Sequence, residues 1–158
     1  MPNIRRLNHA VLYVRDAQRS AAFYRDVLGF ETVQESAGGR AVFLRAGGSD
    51  NHHDLGLFGV GDVPHSRGTG LYHLAWQVDT IDELAEIRSR LVSAKALMGE
   101  SDHGVSKSLY AQDLDGIEFE VMWMVPESSW GSYATDAVVA PLDLPAEQSR
   151  WSGVATRA

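Results

Sequence analysis

The chain has 158 residues, of which 44% are hydrophobic and 22% charged, as expected for one globular domain or two small modules that share a core. Its net charge of −7 argues against binding to nucleic acid or to an anionic membrane surface, and no apolar run approaches the roughly 20 residues that span a bilayer. The lack of cysteine excludes disulfides and thiolate metal sites. Because MPNIRRLNHAV has no signal-peptide apolar region or cleavage site, we expect a cytoplasmic protein that acts on a small molecule.

The first half of the chain predicts a strand, a helix and three further strands. LNHAVLYV begins the series, and apolar residues at helical spacing predict a helix over about 17–28, with Gly29 as its stop. Extended segments follow at 30–35, 40–45 and 53–60, separated by turns rich in Gly, Ser, Asp and Asn.

The second half predicts the same series of elements. GLYHLAWQV, residues 70–78, alternates as a strand, and the next helix begins near Thr80, with Glu83 three residues on as a capping box. Extended segments follow at about 95–99, 106–112 and 117–124. The tail contains prolines at 126, 141 and 145, and we expect it to be mostly irregular.

An internal repeat relates the two halves. With a constant offset of 64 positions, Leu7 aligns with Leu71 and His9 with His73. Each half is therefore a βαβββ module, and two such modules should pair their open sheet faces in an α+β fold. We divide the chain into a first module at 4–60, a linker at 61–70, a second module at 71–124 and a tail at 125–158.

Three side chains on different strands form a candidate metal site. His9 and His73 occupy equivalent repeat positions, and Glu120 lies mid-strand among apolar residues in GIEFEVMWM. A buried carboxylate is costly unless it is paired or binds a metal. Two imidazoles and one carboxylate suit Fe(II) or a related divalent ion such as Mn(II). Taken singly, each histidine could be structural and Glu120 could pair with an arginine, but the repeat equivalence favours the metal.

Four stretches together resemble the vicinal-oxygen-chelate superfamily: LNHAVLYV, FYRDVLGF, GLYHLAWQVDTIDEL and LYAQDLDGIEFEV. This superfamily includes glyoxalase I, bleomycin- and fosfomycin-resistance proteins and extradiol ring-cleaving dioxygenases. The resemblance covers about residues 4–124. It implies paired βαβββ modules that form a cupped mixed β-sheet, with His9, His73 and Glu120 as the metal ligands.

Extradiol dioxygenases are the branch that the sequence resembles most. Glyoxalase I draws a fourth ligand from the other module, but the repeat offset maps Glu120 to Gly56, where DLGLF offers no carboxylate or imidazole in place. Three protein ligands leave room for a bidentate substrate and dioxygen.

The resemblance also implies three catalytic residues. Tyr110, ten residues before Glu120, would hydrogen-bond the bound catecholate, and His103 would line the pocket. His53 would be the acid–base residue, since imidazole exchanges protons near neutral pH. NHHD contains two adjacent histidines, so His52 is an alternative. Without the resemblance, these histidines are surface residues and Tyr110 is an ordinary strand residue.

The sequence therefore predicts a metal-dependent extradiol dioxygenase that acts on a catechol-like diol and dioxygen. Fe(II) is the favoured metal, with Mn(II) or another divalent ion as alternatives. A second hypothesis is another reaction of the superfamily, by an isomerase, lyase or thiol transferase, and a third is a metal-free ligand-binding protein of the resistance type, against which the buried Glu120 argues. We expect a homodimer, with the metal site either within one chain or shared between subunits.

Overall fold

The structure, a computed structural model, describes residues 4–64 and 68–156, which form two compact units with their boundary between Gly68 and Thr69. Each unit contains one βαβββ series, so the predicted α+β fold of two repeated modules is confirmed. Residues 65–67 of the predicted linker and 157–158 of the predicted tail lie outside the described residues. The helices of the described ranges are all too short or too polar to cross a bilayer.

Unit 1 is a four-stranded mixed sheet with one helix. Its elements are β1 (Ala10–Val14), α1 (Ala17–Leu28), β2 (Glu31–Glu35), β3 (Ala41–Arg45) and β4 (Leu55–Gly59). The strand order is β1-β4-β3-β2, in which β1 and β4 are parallel and the other neighbours antiparallel.

The predicted bounds of α1 are confirmed at both ends. The side chain of Asp16 caps the helix by accepting a hydrogen bond from the Arg19 N–H. Gly29 ends it with a φ of 73°, a left-handed conformation that glycine adopts without strain. Between these caps, Ala21, Phe23 and other apolar side chains of the helix are buried.

Unit 2 repeats this architecture and adds the tail. Its elements are β5 (Leu74–Val78), α2 (Ile81–Ser93), β6 (Leu97–Asp102), β7 (Ser106–Gln112), β8 (Glu118–Met124), two 3₁₀ turns (Glu127–Ser129 and Gly131–Ala134) and α3 (Leu144–Trp151). The strand order is β5-β8-β7-β6, with β5 and β8 parallel. The capping box of Thr80 and Glu83 is present, and Ile81, Leu84 and Leu91 are fully buried.

The two histidines lie just before their strands rather than within them. β1 begins at Ala10 and β5 at Leu74, so the prediction that residues 70–73 belong to the strand is wrong. Leu71 and Tyr72 are exposed, and without burial of these side chains nothing holds the segment in the sheet.

The repeat is confirmed down to the pairing register. Val11 lies opposite Gly56 in unit 1, and Ala75 lies opposite Glu120 in unit 2, so the offset of 64 relates both members of each pair. The antiparallel partner of Gly56 is Phe43, and that of Glu120 is Tyr110. Gly56 and Phe43 are thus the unit 1 counterparts of Glu120 and Tyr110.

The tail is more regular than we predicted, because residues 144–151 form α3. Asp143 caps this helix by accepting from the Ala146 N–H, and Pro145 occupies its first turn. The indole of Trp151 lies 5.9 Å from that of the buried Trp123, between ring centroids. Ala140 exchanges backbone hydrogen bonds with Asp102, so the tail covers part of the β6 edge.

Candidate functional site

Unit 2 brings together two of the three predicted metal ligands. Glu120 lies in the middle of β8 with a side chain only 11% exposed, which confirms its predicted burial. Its Oε2 is 3.2 Å from Nε2 of His73. A carboxylate oxygen and an imidazole nitrogen that converge in a partly buried position are suitable donors for a divalent cation.

A second carboxylate lies on the other side of His73. Oε1 of Glu118 is 3.6 Å from Nδ1 of His73, and this nitrogen is buried without a hydrogen-bond partner. The hydroxyl of Tyr72 donates a hydrogen bond to Glu118, whose negative charge raises the pKa of that tyrosine. The ring of Tyr72 also lies 4.7 Å from that of His73. His73 is therefore flanked by carboxylates on both ring nitrogens.

Tyr110 and His103 form a hydrogen-bonded pair beside these carboxylates. The carbonyl of Val138 accepts from His103 Nδ1 at 3.1 Å, so in the neutral ring Nε2 is the acceptor. The Tyr110 hydroxyl lies 2.8 Å from that Nε2 and donates to it. Burial, and then the negative charge of Glu120, raise the pKa of Tyr110, which keeps its hydroxyl protonated.

Unit 1 brings His9 together with the predicted acid–base residue. The rings of His9 and His53 are 4.6 Å apart between centroids, and Phe43 packs edge-on against His53 at 5.2 Å. His9 is exposed, and its Nδ1 lies 2.9 Å from Oδ1 of Asn8, which leaves Nε2 available to a metal.

His53 has the properties of a base near neutral pH. Burial lowers its pKa, the neighbouring rings of His9 and His52 lower it further, and Asp54 partly opposes them. His53 is therefore neutral at pH 7 and able to accept a proton. His52 is exposed and contacts His53, with Nδ1 atoms 3.1 Å apart.

A hydrogen-bonded loop holds these histidines in unit 1. The buried Asp54 accepts hydrogen bonds from the Ala46 N–H, the Ser49 hydroxyl and the Asn51 amide. The same Asn51 amide donates to the carbonyl of Asn8 at 2.9 Å. The strand that follows His9 is thereby tied to the loop that carries His52 and His53.

The counterpart of Glu120 in unit 1 offers no fourth ligand. A Cβ added to Gly56 would lie 3.3 Å from a methyl group of Val11 and 3.5 Å from the ring of Phe43. These apolar side chains fill the position that Glu120 has in unit 2. Unit 1 therefore has no carboxylate at the position that corresponds to Glu120.

The described residues include donor atoms that suit a divalent metal, but they do not form a complete set of ligands. Across residues 4–64 and 68–156, no three His, Asp or Glu side chains are grouped so as to hold a metal ion. The pair in unit 2 and the orphaned Nδ1 of His73 nevertheless favour a cation at Nε2, because a ligating imidazole carries its hydrogen on the opposite nitrogen.

Sequence reasoning did not assign Asn8, Asn51, Tyr72 or Glu118. The repeat offset contains part of the missing signal, since it aligns Asn8 with Tyr72 and Asp54 with Glu118. The contacts of these residues depend on strand register, which the spacing of motifs does not reveal.

The chain belongs to the Glyoxalase/Bleomycin resistance protein/Dioxygenase superfamily, whose sequence profile matches residues 6–121. Catechol-2,3-dioxygenase of Bacillus subtilis (strain 168) is 31% identical over 78% of the chain, which spans only 43% of that protein. Biphenyl-2,3-diol 1,2-dioxygenase 3 of Rhodococcus globerulus is 30% identical over 84% of the chain and 75% of that protein.

Proteins with other reactions are similar as well. Mitochondrial methylmalonyl-CoA epimerase of Bos taurus is 29% identical over 75% of the chain and 74% of that protein. Among solved structures, a mutant of the fosfomycin resistance protein FosX from Listeria monocytogenes, complexed with Mn(II) and 1S,2S-dihydroxypropylphosphonic acid, has a TM-score of 0.64. It is 24% identical, and the match covers 83% of this chain and 99% of that one. The fold is thus shared by members with different chemistry.

Proposed function

We propose that the chain is a metal-dependent extradiol dioxygenase that cleaves the ring of a catechol-like diol, with Fe(II) or Mn(II) held by His9, His73 and Glu120. The observation that carries the proposal is the hydrogen bond between Tyr110, on the strand next to Glu120, and His103, in the turn that precedes this strand. The sequence similarity to two dioxygenases supports the same class.

The protein side chains would orient the diol and move its proton. Tyr110, kept protonated by burial and by Glu120, would turn its hydroxyl hydrogen from His103 to a substrate oxygen when the diol binds. His53, neutral at pH 7, would accept the proton that a diol hydroxyl loses. We assign this role to His53 rather than His52, because His53 contacts both His9 and Phe43. A bound divalent metal would supply Lewis acidity and a coordination position for dioxygen.

An epimerase-type reaction is the second candidate, since the bovine epimerase matches over 74% of its length. The charge around His73 favours the diol over an anionic thioester. Glu118 and Glu120 place two carboxylates within 3.6 Å of the ring, and these would repel an anionic substrate but not a neutral one.

Oxygen uptake tests the proposed function. Protein loaded with Fe(II) under anaerobic conditions is mixed with a panel of catechols in aerated buffer, and we expect one O₂ consumed per diol and a yellow ring-fission product. Glu120→Gln should lose this activity, whereas Glu86→Gln, on the exposed side of α2, should retain it. Metal-loaded protein that consumes no oxygen with any diol, but exchanges the α-proton of an acyl thioester with solvent deuterium, would establish the epimerase alternative instead.

A further inference from the structure

We propose that Glu118 is the positioning residue for His73: its carboxylate accepts the Nδ1 hydrogen of the imidazole and so directs Nε2 toward the metal shared with Glu120. This inference rests on the proposed function, because the metal concerned is the one proposed above. The role is distinct from metal ligation, since Glu118 contacts the ring on the side away from Glu120.

The unpaired nitrogen of His73 indicates the need for such an acceptor. A neutral imidazole that binds a metal through Nε2 carries its hydrogen on Nδ1. In His73 this nitrogen is buried and lacks a hydrogen-bond partner, which costs free energy. Glu118 Oε1 lies 3.6 Å away, so a small side-chain rotation brings the two atoms within hydrogen-bond distance.

Two features hold Glu118 next to the ring. The parallel register pairs Leu74 with Phe119, which puts the preceding residues, His73 and Glu118, side by side at the start of the ladder. The hydroxyl of Tyr72 donates to the Glu118 carboxylate, and the ring of Tyr72 lies 4.7 Å from that of His73. Tyr72 therefore interacts with both groups.

Unit 1 offers a comparison within the same chain. By the offset of 64, His9, Asn8 and Asp54 are the counterparts of His73, Tyr72 and Glu118. Asn8 Oδ1 lies 2.9 Å from His9 Nδ1, so the unit 1 histidine already has its acceptor. Asp54 is instead committed to donors of its own loop: Ala46, Ser49 and Asn51.

The two units thus meet the same requirement with different residues. Tyr72 takes the place of Asn8, so unit 2 lacks the amide acceptor next to its histidine. Glu118 faces the ring, and its described contacts include no loop donors like those of Asp54. A carboxylate that accepts the distal N–H of a ligating histidine fixes its tautomer and orientation and raises its basicity. Loss of such a partner typically weakens metal binding by about 10–100-fold.

The test measures Mn(II) affinity, which does not depend on turnover. The full-length protein and its variants are titrated with Mn(II), and free Mn(II) is followed by electron paramagnetic resonance. We expect Glu118→Ala to raise the dissociation constant by about 10–100-fold. Glu118→Gln, which keeps an acceptor oxygen, should recover much of this loss, and Glu86→Gln should match the wild type. Circular dichroism confirms that each variant is folded.

A spectroscopic measurement distinguishes a lost orientation of His73 from a general loosening of the metal site. In the Co(II)-loaded protein, we expect the shifted Nδ1–H resonance of His73 to exchange slowly with water, and to exchange rapidly or disappear in Glu118→Ala. Unchanged Mn(II) affinity and unchanged exchange in a folded Glu118→Ala variant would overturn this proposal alone. A wild-type protein that binds no Mn(II) would overturn it together with the metal centre, whereas metal binding without oxygen uptake would overturn only the dioxygenase activity.

Discussion

Tyr110 combines a raised pKa with a fixed hydrogen-bond acceptor. Its hydroxyl donates to His103, whose other ring nitrogen is held by the carbonyl of Val138 in the tail. The hydrogen of Tyr110 therefore points to His103 in this structure, and it must turn about the C–O bond to reach a substrate oxygen.

At the scale of this residue, we predict that Tyr110→Phe lowers kcat/KM for ring cleavage by about 100-fold, within the range for loss of one positioned hydrogen-bond donor. Metal content should stay at the wild-type level, because Tyr110 is not among the proposed ligands. Oxygen-electrode kinetics and elemental analysis check the two quantities. A variant that turns over diols at the wild-type rate would remove Tyr110 from the mechanism.

Sequence reasoning could identify the chemically distinctive residues but not all of their partners. The spacing around Tyr110 and Glu120 indicated their importance, and the structure places them opposite each other on neighbouring strands. The role of Glu118 depends on an atom of His73 that lacks a partner, and this appears only when side chains are placed. Sequence spacing also did not decide which of His52 and His53 is the acid–base residue. The contact of His53 with His9 favours His53.

Among the elements, the tail is held to unit 2 by several polar contacts, of which those at Asp82 and Lys107 involve α3 and the residues just after it. Asp82, in the first turn of α2, accepts hydrogen bonds from the Ser152 hydroxyl and the Gly153 N–H, both at 2.9 Å. On the sheet, the buried Lys107 pairs with Asp102 at 2.5 Å and with Glu147 of α3 at 3.7 Å. Sequence periodicity did not reveal α3, because the helix is short and Leu144 is its one buried residue.

The attachment at Asp82 predicts a pH-dependent contribution to stability. The hydrogen bonds from Gly153 and Ser152 lower the pKa of Asp82 in the folded state. A lowered folded pKa means that the stabilisation is complete above the unfolded value of about 4 and is lost as the pH falls through the folded value. Asp82→Asn should therefore unfold at a lower temperature than the wild type at pH 7, and the two should converge in strong acid. A difference in melting temperature that is constant with pH would contradict this account.

The tail also requires the glycine that follows β6. Gly104 has a φ of 75°, and a Cβ added there would lie 2.5 Å from Cγ of Tyr133, too close for two non-bonded carbon atoms. Gly116, with a φ of 80° and nothing within 4 Å, has the same backbone requirement without the contact.

We predict that Gly104→Ala lowers the free energy of unfolding by about 1–3 kcal/mol more than Gly116→Ala does, because only the first substitution overpacks a neighbour. Urea unfolding curves measure both losses. Combining Gly104→Ala with Tyr133→Ala should remove only part of the excess, because the Cβ of residue 133, 2.9 Å from the added atom, remains. Equal losses for the two single substitutions would show that Tyr133 does not press on Gly104.

At the scale of the whole molecule, the repeat made the fold predictable. The offset of 64 follows from a few aligned residues, and the structure reproduces it in strand order and in register. The start of β5 was predicted too early, at Gly70 rather than Leu74, since alternation of apolar residues extends into a segment whose side chains are exposed. Chemistry within the superfamily is harder to assign, because the same fold serves dioxygenases, an epimerase and a resistance protein.

The central claim is that His9, His73 and Glu120 bind one divalent cation, and anaerobic titration of the full-length protein with Fe(II) tests it most directly. We predict one ion per chain in the wild type, loss of that ion in each of His9→Ala, His73→Ala and Glu120→Ala, and retention in His52→Ala. A wild-type protein that takes up no ion, or a His9→Ala variant that binds as tightly as the wild type, would contradict the account.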